Sequence, residues 1–225
     1  MRRGWEPAPY SEMLDFRLCV ITERWRERGH IDVAKAAIAG GAGAIQLRDK
    51  ELPARELFEI GRQIRDLCRQ AGVLFFVNDR PDLALALHAD GVHIGQDDLP
   101  VAEARRLLDY SGRRLILGAS APTPEEARAA EKQGADYVSV GPVFATATKA
   151  DAGPAVGLET IGHVKSACYL PVVAIGGISA ENARSVIEAG ADAVAVISAV
   201  TRADDMERAT RELAEAVAAR SSSHP

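Results

Sequence analysis

Arg48, Lys50 and Lys149 are cations, and Asp79 and Asp98 are carboxylates, each standing where an apolar run gives way to polar residues. Gathered at one point, the three cations suit a diphosphate better than a monophosphate, with Gln46, Asn78 and Ser120 as neutral hydrogen-bonding groups. Two carboxylates beside such a group are what Mg2+ needs, because that ion takes few protein ligands and completes its shell with substrate oxygens and waters. Thr146 and Thr148 share a loop with Lys149 and add two hydroxyls that could grip an anion. A second anion site is indicated by Gly176-Gly177 and Ile197-Ser198. There, backbone N–H groups and a hydroxyl could meet a phosphate that the glycines allow to come close.

Bringing these residues together requires several strand ends on one face, and the chain contains an internal repeat that supplies them. GAGAIQLR (41–48), HADGVHIG (88–95), GADYVSVG (134–141) and GADAVAVI (190–197) superpose without gaps. Their second residues, Ala42, Ala89, Ala135 and Ala191, stand 47, 46 and 56 positions apart. Each copy is a small-residue turn leading into a strand, with room before the next for another strand and two helices. The intervening strands are the apolar runs RLCVI (17–21), VLFFV (73–77), LILGA (115–119) and PVVAI (171–175). Such continuous runs are expected of strands covered on both faces. Amphipathic stretches lie between them, as from Ala54 to Gln70 and from Glu181 to Gly190.

Eight strands alternating with helices define an α/β fold, a single (β/α)8 TIM barrel. An open doubly wound sheet would have no reason for a fourfold repeat. The barrel demands that functional residues follow the strands, and they do. Gln46, Arg48 and Lys50 follow the second strand and point the same way by alternation. Asn78-Asp79 follow the third, Gln96-Asp97-Asp98 the fourth, Ser120 the fifth, the Thr146-Thr148-Lys149 loop the sixth, Gly176-Gly177 the seventh, and Ile197-Ser198 the eighth. Residues 1–14 read as a loose arm, 15–220 as the barrel and 221–225 as a frayed tail.

With 225 residues and 47% apolar content, the chain is long enough for one well-cored domain. A net charge of −5 offers no basic stripe for nucleic acid. No stretch approaches the roughly 18 apolar residues that mark a membrane span. Cys19, Cys68 and Cys168 lack metal-ligand spacing and read as reduced thiols of a cytoplasmic protein. The expected partners are small phosphorylated molecules, and a homo-oligomer is compatible with the sequence. His93 reads as a residue of the barrel interior. His30, His88 and His163 fall near helix or loop positions, and none pairs with Cys or Ser as a nucleophile would require. Chemistry run by metal and fixed cations fits this inventory.

QLRDK (46–50), VNDRPDLALALHADGVHIGQDD (77–98), GPVFATATK (141–149), AIGGI (174–178) and VIS (196–198) together resemble the thiamine-phosphate synthase family. The resemblance runs from about residue 17 to about 213. It implies a barrel enzyme joining 4-amino-2-methyl-5-hydroxymethylpyrimidine diphosphate to a thiazole phosphate, with release of diphosphate. By matched position it puts the pyrimidine diphosphate on Gln46, Leu47, Arg48, Asp49, Lys50, Asn78, Ser120 and Lys149, and Mg2+ on Asp79 and Asp98. It puts the thiazole phosphate on Thr146, Ala147, Thr148, Gly176, Gly177, Ile197 and Ser198. Arg48, Lys50, Ser120 and Lys149 are the implied catalytic residues. A loop over 143–157 is expected to close over a water-sensitive cation.

The sequence departs from the family at the first strand, where Cys19 replaces an aromatic found in many relatives and Thr22-Glu23 replaces Thr-Asp. Both bear on the pyrimidine pocket. Two other readings compete. The related thiazole tautomerase has a His at the place of Pro122 and lacks the acidic end of the fourth strand, which Gln96-Asp97-Asp98 supply here. A non-catalytic phosphate sensor could dispense with the diphosphate cations and metal carboxylates.

Overall fold

A computed structural model describes residues 16–146, 148 and 153–218. Its eight strands are β1 (Leu18–Ile21), β2 (Ala44–Leu47), β3 (Leu74–Asn78), β4 (Gly91–Ile94), β5 (Ile116–Ser120), β6 (Tyr137–Val140), β7 (Val172–Ile175) and β8 (Ala193–Val196). They pair in parallel in sequence order, and β8 returns to β1 to close the barrel. The helices are α1 (His30–Ala39), α2 (Ala54–Ala71), α3 (Pro81–Ala86), α4 (Val101–Tyr110), α5 (Pro124–Lys132), α6 (Leu158–Ala167), α7 (Ala183–Glu188), the single turn α8 (Ser198–Thr201) and α9 (Met206–Ala218). This is the (β/α)8 architecture expected from the repeat. The sequence-level arm and tail fall on residues outside those described. Among the described residues, no helix is long and apolar enough to cross a membrane.

Strand alternation divides the apolar residues into two cores. Val138 and Val140 of β6 face outward and join the layer between barrel and helices, with Ile45, Leu47, Val92, Leu117 and Val194. Tyr137 faces inward with Cys19, Ala44, Phe76, Val173, Ala193 and Ala195. The barrel is filled by unequal neighbours: a Cβ on Gly91 would lie 2.3 Å from the Phe76 ring, and one on Gly118 would lie 2.1 Å from the Tyr137 ring. Each glycine therefore vacates the space that an aromatic side chain from an adjacent strand occupies. Phe76 packs edge-on against both Phe16, at 5.9 Å, and Tyr137, at 6.1 Å. Edge-to-face pairs of this kind add about 0.5–1.5 kcal/mol each beyond area burial.

The repeat also carries a device at the N-terminal rim. Asp90, Asp136 and Asp192 occupy its third position in the last three copies. Each accepts, through its carboxylate, the N–H of a residue on the preceding strand: Phe75 at 2.8 Å, Leu117 at 2.8 Å and Val172 at 2.7 Å. Each also donates its own N–H to the carbonyl of that same residue. The side chain thus supplies a rung of the ladder where a parallel pair begins. Asp136 is further held by Arg105 and Arg114. The first copy has Gly43 instead, because a Cβ there would lie 2.7 Å from Phe16 Cβ.

Candidate functional site

One cavity opens at the C-terminal mouth, and its wall is assembled from strand ends around the ring. β2 contributes Arg48 and Lys50, β3 Asn78 and Asp79, and β4 His93 with Gln96, Asp97 and Asp98. β5 contributes Ser120, β6 Ser139 with Thr146 and Thr148, β7 Gly176 and Gly177, and β8 Ile197 and Ser198. Most of the residues read from the sequence as candidates therefore meet at one place, because every loop that carries them leaves the same end of a parallel barrel. Ala147 and Lys149 lie outside the described residues.

On the β2–β4 side, Asp79 stands directly after β3 in a left-handed conformation with φ of 61°. Its backbone N–H donates to the His93 carbonyl at 2.8 Å, which joins the ends of β3 and β4. Asp98 folds back so that its carboxylate accepts the Gly95 N–H at 2.9 Å. The two carboxylates come within hydrogen-bonding reach of each other. Burial, the contact with Asp98 and the Asp98 charge raise Asp79 to about 6, against a smaller opposing pull from Lys50 and Arg48. Lys50 Nζ lies 3.8 Å from Asp79. Asp79 does not cap α3, whose N-cap position is Arg80, without a side-chain cap bond.

Two carboxylates crowded in a partly buried site are an arrangement that a divalent cation relieves. Among the described residues, no group of three or more His, Cys, Asp or Glu converges to hold a metal. A pair without a third protein ligand fits Mg2+, which usually takes one or two carboxylates and leaves its remaining positions to phosphate oxygens and waters.

Across the barrel, Thr146, Thr148 and Ser198 form a hydroxyl chain. Thr148 N–H and the Thr146 hydroxyl are joined at 3.2 Å, and the Thr148 hydroxyl donates to Ser198 Oγ at 2.9 Å. This ties the β6 loop to the start of α8. The glycine pair has a further reason to be glycine. A Cβ on Gly176, where φ is +101°, would lie 2.5 Å from Pro142 Cα, and one on Gly177, where φ is +65°, would lie 2.9 Å from the Ala145 carbonyl. The sequence reading gave these glycines to close phosphate approach; their Cβ space is filled by the β6 loop, which docks through Val143 N–H to Ile175 O and Phe144 N–H to Gly176 O. Both glycines still line the cavity.

Other residues of the QLRDK segment are arranged differently from a simple alternating row. Gln46 is buried below the mouth and lines a small interior space with Cys19, Phe76 and Tyr137. Cys19 therefore belongs to the barrel filling and is not among the residues of the mouth. Leu47 packs outward toward the helices. The Asp49 carboxylate, implied by resemblance as a substrate group, is not in the cavity wall. It accepts N–H groups of Glu51 and Leu52 at 2.8 and 2.9 Å, His30 Nε2 at 3.0 Å and Arg24 Nε at 2.7 Å. Burial alone would raise its pKa, but these four donors outweigh it and hold the group at about 2.

At the cavity floor, His93 bridges Tyr137 OH, 3.0 Å from Nδ1, and Ser120 Oγ, 3.1 Å from Nε2. Its ring stacks on Tyr137 at 5.6 Å. The sequence reading placed His93 in the barrel interior; the structure adds that it touches a cavity residue on one side and the aromatic filling on the other. Ser139 and Ile175 were missed, although each sits on the inward parity of a strand that was correctly located. Glu23, the departure from the usual Asp, accepts from Thr201 Oγ1 at 3.0 Å and Arg202 at 3.1 Å, away from the β2–β4 side of the mouth.

Fold and cavity together define a (β/α)8 barrel of the kind that gathers anion-binding groups at its C-terminal mouth. Residues 18–200 match the family model described as thiamine monophosphate synthase. The chain is 54% identical over 203 residues to a thiamine-phosphate synthase of Moorella thermoacetica, covering 90% of this chain and 95% of that protein. It is 49% identical over 205 residues to one of Chloroflexus aurantiacus, covering 90% and 93%. A solved thiamine phosphate pyrophosphorylase from Pyrococcus furiosus superposes with a TM-score of 0.84 at 45% identity, covering 92% of this chain and 98% of that one. The chain belongs to the thiamine monophosphate synthase family.

Proposed function

We propose that this barrel joins 4-amino-2-methyl-5-hydroxymethylpyrimidine diphosphate to a thiazole phosphate, giving thiamine phosphate and diphosphate. The observation that carries the reading is the division of one cavity into a β2–β4 side with cations and paired carboxylates and a β6–β8 side with hydroxyls and glycines. The first side is charged for a diphosphate, and the second is small and neutral enough for a single phosphate. Arg48 and Lys50, joined by Lys149 from the β6 loop, stabilise the negative charge that grows on the diphosphate as the pyrimidine methylene–oxygen bond breaks. Asn78 and Ser120 orient the pyrimidine half, and Thr146, Thr148 and Ser198 hold the thiazole so that its nitrogen meets the methylene carbon. The 4-amino group makes that carbon cation accessible, so the protein's work is positioning and preorganised charge. Bound at Asp79 and Asp98, Mg2+ would supply further positive charge to the leaving diphosphate.

Pro122 lines the cavity and offers no group for proton transfer, which weighs against a tautomerase. The three cysteines are unpaired and buried, which supports a reducing, cytoplasmic setting.

The test is diphosphate release by the purified protein given both substrates, with Mg2+ and then with excess chelator. Release that requires both substrates and the metal, with thiamine phosphate formed in step, is the expected result. Absence of release under every condition would overturn the reading.

A further inference from the structure

Arg48 and Lys50 follow the end of β2 on a segment that has left the sheet, so something other than the strand ladder must aim them. The residues that do so converge from three elements. Thr22, just past β1, donates its N–H to Gln46 O at 2.8 Å, and its hydroxyl oxygen accepts the Arg48 N–H at 3.4 Å. His30 opens α1 and places Nδ1 2.8 Å from Thr22 Oγ1 and Nε2 3.0 Å from Asp49. Asp49 uses its other oxygen to close the turn that presents Lys50, accepting Glu51 and Leu52 N–H.

These bonds have one consistent polarity. Asp49 is a carboxylate, so His30 Nε2 carries the proton. In a neutral ring Nδ1 then accepts from the Thr22 hydroxyl, which leaves a Thr22 lone pair for Arg48 N–H. His30 is only 2% exposed, and both of its nitrogens are used in this way. Its place is not explained by helix capping, because Asp32 bonds the Gly29 N–H at 3.0 Å and already closes that end. His30 is buried with Val33, Ala34 and Ala37 on the inner face of α1, and it is the one of the four whose side chain carries polar atoms, both of them bonded to residues after β1 and β2.

We propose that His30 is a positioning residue: through Thr22 and Asp49 it fixes the backbone of 48–50 so that Arg48 and Lys50 face a diphosphate. The inference rests on the function proposed above and deepens it, giving Asp49 a role through its neighbours in place of contact with substrate. The thiazole side shares none of these bonds, so the effect of breaking the tie falls on one substrate.

The test compares His30→Gln, Thr22→Val and Thr22→Ser, reading the KM of each substrate and, by calorimetry, the Kd of Mg2+ with inorganic diphosphate. Thr22→Val removes only a hydroxyl at constant shape and remains informative where His30→Gln fails to fold. His30→Gln and Thr22→Val are expected to raise the pyrimidine diphosphate KM and the diphosphate Kd about fivefold or more, the scale of one lost net hydrogen bond. The thiazole phosphate KM stays within about twofold, and Thr22→Ser restores both affected constants. Unchanged diphosphate constants, or an equal rise for both substrates, would overturn the proposal. A wild-type protein that binds Mg2+-diphosphate without turning over would defeat the proposed reaction alone, and the calorimetric comparison would still decide the role of His30.

Discussion

At the N-terminal rim Asp90, Asp136 and Asp192 each meet a strand N–H within 2.8 Å, and Asp136 has two arginines besides. At the C-terminal rim Asp79 and Asp98 meet each other. The same residue type, on the same barrel, is satisfied at one end and held against like charge at the other. A carboxylate surrounded by donors strengthens the fold. One pressed against a second carboxylate has its pKa raised by that neighbour, as Asp79 does beside Asp98, and adds no such support. Asp49 shows that the distinction follows partners and not position, since it lies at the functional rim yet is satisfied four times over.

Substitutions at the two rims should separate activity from stability. Asp79→Ala and Lys149→Ala are expected to lower turnover at least about a hundredfold, the usual effect of removing one preorganised charge-stabilising group. Asp79→Asn, which removes the charge but keeps a residue type tolerated at the φ of 61°, should leave the thermal midpoint unchanged or higher, because it removes a like-charge contact. Near-normal turnover in either alanine variant would mean that these groups do not serve the reaction.

Asp136→Ala should do the reverse. It leaves the Leu117 N–H unpaired and strips Arg105 of its buried partner, a loss of about 3 kcal/mol. For a chain of this size that corresponds to a fall of roughly 10 °C in the midpoint. The kcat/KM of the folded protein should stay within about twofold, and a larger drop would show that the lower rim reaches the site.

Tyr137→Phe lies between the rims. It removes the hydroxyl that orients His93, and with it the far support of Ser120. A fall in kcat of about fivefold with roughly 1 kcal/mol of stability lost is the expectation. An unchanged kcat would confine the Tyr137–His93 pair to packing.

The smallest effect is one of pH. Burial lowers the His30 pKa, which the Asp49 contact only partly offsets, so the folded value lies below the ordinary 6.5. The unfolded chain therefore binds the proton first, and the stability tied to neutral His30 is complete above 6.5 and lost as the pH falls toward the folded value. Unfolding midpoints measured from pH 7.5 to 5 should fall less steeply for His30→Gln than for wild type; parallel curves would show that His30 titrates normally.

The barrel was legible because its signals are local and repeated. An apolar strand, a small-residue turn and an amphipathic helix recur, and each is readable within a dozen residues. The meeting of Arg48, Asp79, Asp98, Ser120, Thr148 and Ser198 followed from topology alone, since a closed parallel barrel sends all these loops to one end. What a side chain touches there was not legible. Asp49 and Asp98 are both acidic residues after a strand, and nothing in their spacing tells which turns inward. The glycine pair at 176–177 matched a phosphate loop in composition, although its Cβ space is taken by Pro142 and Phe144, more than thirty residues earlier in the chain.

The sequence by itself determined the fold, the face that carries the chemistry and the family, because periodicity and ordered motifs are properties of the chain. Tertiary structure alone decided which carboxylates are satisfied and which are crowded, and that His30 ties Thr22 to Asp49. Hydrogen bonds between residues on different strands depend on register and on angstrom-scale distances, and the identity of each residue alone does not contain them.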